Sequence, residues 1–112
     1  MPPKPERLKR RAQFLRAAAA GRKAAMPGLV LQCLPRADTG VVRVGFTTTK
    51  KLGGAVVRNR SRRRLREAAR LVLAEQRIVG VDLVLIGREG TKRRPFTALL
   101  EDLRRALRKT AP

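Results

Sequence analysis

A chain of 112 residues with 28 Lys plus Arg against 8 Asp plus Glu, a formal net charge of +20, has room for one compact domain. Such a charge makes a polyanion the expected neighbour, nucleic acid ahead of a membrane surface. The totals exclude histidine chemistry, because the chain has none, and an internal disulfide or protein-only thiolate zinc site, because Cys33 is the single cysteine.

Residues 1–6, MPPKPE, hold three prolines and no periodicity, which predicts an extended or flexible arm ahead of one domain over residues 7–112. The alanines that follow are too weak and short an apolar run for a signal peptide, and no stretch approaches the roughly 20 apolar residues of a membrane span. The expectation is a cytoplasmic protein with no membrane partner. From Leu8 to Ala20, the stripe Leu8, Ala12, Leu15 and Ala19, with Phe14 and Ala18 beside it, predicts a first helix stopped at Gly21.

Pro27 and Gly28 introduce LVLQCLP, a strand ended by Pro35; RADTG reads as a turn and VVRVGFTTT as a second strand, expected to pair antiparallel with the first. A long helix follows from about Arg58 to Gln76, burying Leu65, Ala69 and Val72 with Ala68 and Leu73. Gly80 ends it, VDLVLIG forms a nearly continuous apolar strand, and GREGTKRRP reads as a polar loop. The last helix runs from about Phe96 to Leu107, with Leu99, Leu100 and Leu103 on its apolar face. Helices separated by strands of these lengths indicate a single two-layer α/β domain, its sheet shielded by helices.

The segment KKLGGAVVRNRSRRRLREAAR, residues 50–70, concentrates Arg58, Arg60, Arg62, Arg63, Arg64, Arg66 and Arg70 around one acid, Glu67. Arg58, Arg62, Arg66 and Arg70 recur at i, i+4 and the other three fill the adjoining side, a repulsion that costs helix stability until phosphates neutralise it. Gly53 and Gly54 sit where they permit close approach of backbone to ligand and expose helix-start N–H groups. Asn59 either caps the helix, orients the neighbouring arginines or binds RNA. The bland alternative is a solvated face of an Arg-rich chain. No recognition-helix pair, zinc ligands or heptad zipper accompanies the basic helix, which favours RNA over DNA. The acids are scattered without a convincing pair, so no residue is assigned a catalytic or metal-binding role; any reactive centre belongs to another molecule.

RVGFTTTKKLGGAVVRNRSRRRLREAAR closely resembles the protein component of bacterial ribonuclease P, with its RVG strand, KK-G-AV junction, and RNR followed by basic residues and RE. The likeness extends to LKRRAQFLRAAAAGRKA, LVLQCL and VDLVLIGRE. It implies a protein that binds no cofactor by itself and assists a catalytic RNA, in a Mg²⁺-requiring holoenzyme, in removing the 5′ leader from precursor tRNA. The family's contacts with catalytic RNA fall on Lys50, Lys51, Gly53, Arg58, Asn59, Arg60, Arg62, Arg63, Arg64 and Arg66. The resemblance also implies the architecture of the second domain of a small-subunit ribosomal protein, with a left-handed strand–helix–strand crossover, and a leader-binding cleft between first helix and sheet. Phe14, Arg16, Gln32 and Arg43 are the leader-binding candidates, although Ala18, Gln32 and Gly54 stand where the family commonly has an aromatic, a tyrosine and an asparagine. A ribosomal or RNA-chaperone protein of the same architecture is the alternative; an independent protein nuclease is disfavoured.

Overall fold

The computed structural model describes residues 4–110. In chain order it comprises β1 (Glu6–Arg7), α1 (Arg11–Ala20), β2 (Arg22–Met26), β3 (Leu29–Pro35), β4 (Arg43–Thr48), a 3-10 turn over Lys50–Leu52, α2 (Ala55–Glu75), β5 (Val81–Gly87), α3 (Glu89–Arg93) and α4 (Phe96–Thr110). The five strands form one sheet in the order β1-β4-β5-β3-β2.

The apolar continuity of VDLVLIG decides that order. A strand buried on both faces belongs at the centre of a sheet, and β5 lies between β3, to which it is antiparallel, and β4, to which it is parallel. The expected antiparallel pairing of β3 with β4 is therefore corrected: β5 occupies the place between them. β4 and β5 are joined through α2, the strand–helix–strand crossover that the resemblance implies. The antiparallel partner of β3 on its other edge is β2, linked to it by Pro27 and Gly28 in a two-residue hairpin.

Alternation along the strands sends side chains to two sides. Leu31, Cys33, Val44, Leu83 and Leu85 meet Leu65, Ala68 and Val72 of α2 and Leu99, Leu103 and Leu107 of α4 in the main core. On the reverse side Val84, with Leu34 and Ile86, packs against Leu8, Phe14 and Ala17 beneath α1. The helix expected from Leu8 starts at Arg11, because Leu8 is consumed in a strand-like hydrogen bond from its N–H to the Val44 carbonyl (3.0 Å). Gln13 Oε1 accepts from the Lys9 and Arg10 N–H groups and closes the first turn. The arm expected over residues 1–6 gives way by Glu6, whose N–H donates to Val42 O at 2.9 Å; residues 1–3 lie outside the described chain.

The polar GREGTKRRP segment, expected as loop, contains α3. Thr91 is fully buried there: its Oγ1 donates to Gly28 O and accepts from the Arg88 N–H. Tertiary hydrogen bonds hold this short helix where no apolar pattern announces one.

Candidate RNA interface

α2 buries Ser61, Leu65, Ala68, Ala69, Val72 and Leu73 on one side. A helical turn of 100° per residue then fixes where each arginine goes. Arg60, Arg63 and Arg66 face outward, and among the described residues no acceptor pairs with them. Arg70 is also outside but holds Glu67 (Nε–Oε2 3.0 Å). Arg58 enters at the margin of the buried stripe with its Nε enclosed. Arg62 donates to Asn59 Oδ1, so Asn59 orients an arginine; the N-cap is Gly54. Arg64 turns inward: its Nη1 and Nη2 donate to Lys92 O and Arg94 O, the free carbonyls at the end of α3. A guanidinium suits a helix C-terminus, where the partial charge is negative.

The start of α2 continues this cationic surface. Lys50 and Lys51 are exposed on the 3-10 turn, and Gly53 takes φ 141°, a conformation open in practice only to glycine, to turn the chain into the helix. No side chain caps the first turn and no acid lies in it. Its free N–H groups favour an anion there.

A cleft of about 540 Å³ lies on the reverse side of the sheet, between α1 and the strands. Phe14 and Gln32 meet in it, with Ala18, Val84 and Ile86 as apolar wall and Lys9 and Arg11 at its mouth. Gly45 lies buried beneath the Phe14 ring: a Cβ there would stand 2.5 Å from it, so the missing side chain lets the ring settle on the sheet. Phe14 is thus both part of the small core and part of the cleft wall.

Two of the four leader candidates lie elsewhere. Arg16 is exposed on α1, about 160° around the helix from Ala18, and points away from the cleft. Arg43 lines a neighbouring hollow and is committed to Asp82, with Nε–Oδ1 2.7 Å and Nη2–Oδ2 2.8 Å. Lys9 and Arg11 were not singled out in the sequence, although Arg11, Phe14, Leu15 and Ala18 follow a helical period that already placed Arg11 on the Phe14 face.

The carboxylates are engaged throughout the domain. Asp38, Glu67, Glu75, Asp82, Glu89, Glu101 and Asp102 each form an ion pair with arginine or lysine. Burial pushes the Asp82 carboxyl upward, but hydrogen bonds from Arg43 and Arg36 outweigh it and hold the group below its ordinary range. Among the described residues no three His, Cys, Asp or Glu side chains gather into a metal-binding set, and no helix is long and apolar enough to cross a membrane. What the surface offers is phosphate recognition on one side and a part-apolar cleft on the other.

The family model for Ribonuclease P matches residues 1–111. The chain is 64% identical over 103 residues to a ribonuclease P protein component from Gluconacetobacter diazotrophicus, covering 92% of this chain and 89% of that protein. It is 51% identical over 108 residues to the same component from Paramagnetospirillum magneticum, covering 93% and 81%. In structure it is similar to the RNase P protein from Thermotoga maritima, with TM-score 0.79, 27% identity and 96% and 99% of the two chains covered. The Staphylococcus aureus RNase P protein superposes with TM-score 0.78 at 27% identity, covering 95% of each chain. The basic helix, its glycine junction and the cleft behind the sheet therefore stand in a domain whose sequence and fold agree, and the chain belongs to the ribonuclease P protein family.

Proposed function

We propose that this chain is the protein subunit of a cytoplasmic ribonuclease P, gripping the catalytic RNA with the ridge of α2 and the leader of precursor tRNA with the cleft under α1. One observation carries the reading: the sheet separates the two surfaces, so one small domain can hold two RNAs at once. Arg60, Arg63 and Arg66, with Lys50, Lys51 and the first turn of α2, neutralise phosphates of the catalytic RNA. Asn59 sets Arg62 for the same task, and Arg58 supports the helix start. In the cleft, Phe14 gives a base a flat apolar face, an interaction worth roughly 1–3 kcal/mol per base. Gln32 carries an amide that can donate to and accept from a base edge, and Lys9 and Arg11 meet the leader's phosphates.

The bond-breaking chemistry lies with the RNA. Seven of the eight acids are ion-paired, so the chain's own carboxylates do not fit a metal site, and the holoenzyme's Mg²⁺ is assigned to the RNA. The protein's contribution is electrostatic and positional: it screens the repulsion between two RNAs and fixes the substrate. Reconstitution tests this. Added to its catalytic RNA, the protein is expected to lower the Mg²⁺ concentration needed for cleavage at the 5′ site, while the RNA-free protein cleaves nothing. Cleavage at that site by protein that stays active through nuclease treatment and repurification would overturn the division of labour.

A further inference from the structure

The chain has three aromatic side chains, all phenylalanine. Phe96, the first residue of α4, is half-buried and faces a shallow hollow of about 720 Å³ beside α2, lined by Arg63, Arg64, Arg66, Glu67 and Arg70. The segment carrying it is held from several sides. Arg64 donates to Lys92 O and Arg94 O, Lys92 Nζ to Leu52 O at 3.1 Å, and Arg94 is paired with Asp102 at 2.6 Å. The ring packs against the main core and is only partly buried, and among the described residues the one guanidinium found over an aromatic ring is Arg7 over Phe46, leaving Phe96 without such a partner.

From this arrangement we infer that Phe96 is a stacking platform for one unpaired nucleotide of the catalytic RNA, whose flanking phosphates lie on Arg63 and Arg66. A base in a duplex has both faces covered and would offer this hollow only phosphates; an unstacked base covers the exposed ring. The neighbouring guanidinium groups complement the charge of its backbone. Glu67 is the one acid in the hollow, and its charge is already engaged by Arg70. The hollow is continuous with the outward ridge of α2 and separated by the sheet from the cleft, which selects the catalytic RNA over the leader. Arg64 acts as a positioning residue that fixes the segment bearing the platform. The inference rests on the α2 ridge facing catalytic RNA.

Two variants test it in the full-length protein with its cognate catalytic RNA. Phe96→Leu keeps an apolar side chain and removes the flat face; it is expected to weaken assembly roughly 5- to 150-fold with an unchanged salt slope, since no charge is lost. Phe96→Trp keeps the face and, in a chain without tryptophan, makes position 96 the sole indole reporter. Its affinity should stay close to wild type and its emission should change on saturation with catalytic RNA. Wild-type assembly by a folded Phe96→Leu variant, or unchanged Phe96→Trp emission at saturation, overturns the inference; if the leucine variant does not fold, the tryptophan signal decides. An equal emission change with leader-bearing precursor tRNA alone overturns the assignment to catalytic RNA. If assembly also survives loss of Arg60, Arg63 and Arg66 together, the ridge itself has been misread; if it is lost there and only Phe96 is silent, the platform alone fails.

Discussion

Replacing Asp82 with asparagine is expected to destabilise the domain by about 3 kcal/mol, near the lower end of the range for breaking a buried ion pair, and to lower Tm by roughly 12 to 24 °C. Asp82 is 2% exposed and accepts from Arg36 Nη1 at 2.8 Å as well as from both arms of Arg43. Arg36 ties the same point to the Val81 and Val41 carbonyls, fastening the loop after β3 to the start of β5. An asparagine keeps the shape but leaves Arg43 without a counter-charge and Arg36 with Asp38 alone, in a chain of +20. Partial exposure of the arginine side chains, 15% and 27%, places the cost at the low end of the range. The folded-state pKa of Asp82 is depressed, so its stabilisation is present above the unfolded value of about 3.9 and is lost as pH falls through the folded value. Thermal melts of wild type and Asp82→Asn should differ widely near neutral pH and converge in strong acid. Equal Tm values near neutral pH would show that the cluster adds nothing.

Removing Arg60, Arg63 and Arg66 together, all to alanine, should reduce the salt slope of assembly with catalytic RNA by about 2.7, at roughly 0.9 per lost phosphate contact when the duplex rule is applied. At about 0.1 M salt that corresponds to a loss of affinity of a few hundredfold. These three are chosen because they are exposed and unpaired among the described residues, so the variant removes charge without removing an internal contact. Arg64→Ala is the contrast. Its hydrogen bonds to Lys92 and Arg94 are internal, so it should weaken assembly through lost positioning while leaving the slope unchanged. Filter binding across a salt series reads both quantities, and a triple variant with wild-type slope would move the RNA surface off α2.

The difference between Arg64 and Arg60 shows where sequence reading stops. Both look alike in the arginine run, and the helical period assigns each an angle, but Arg64 is drawn inward only because α3 lies at that angle. Nothing apolar in GREGTKRRP announces α3; a buried threonine hydroxyl and backbone carbonyls hold it. β2 was illegible for a related reason. Lys23, Ala24 and Ala25 have little strand preference, and their strand forms because β3 offers an edge. The partnership of Arg43 with Asp82 joins residues far apart in sequence across neighbouring strands, which no local pattern reveals. By contrast, the buried faces of α2 and α4 and the outward arginines followed from a period of 3.6, and the apolar continuity of β5 was read as a strand, but its place between β3 and β4 was not foreseen. The orientation of Arg16 away from Ala18 was legible too, since the same period places the two nearly opposite.

The claim that one domain holds two RNAs on opposite sides of its sheet is tested most directly by cleavage from tethered iron in the assembled holoenzyme with leader-bearing precursor tRNA. Cys33 is fully buried and its thiol pKa is raised chiefly by that burial, so the native protein should resist attachment. A cysteine placed by Ala18→Cys reports from the cleft wall, and one placed by Glu67→Cys reports from the outer side of α2; both positions are exposed. Hydroxyl radicals generated at position 18 are expected to cut the leader of the precursor tRNA, and those at position 67 the catalytic RNA. Cuts from both positions in the same RNA, or leader cuts from position 67, would contradict the two-sided arrangement.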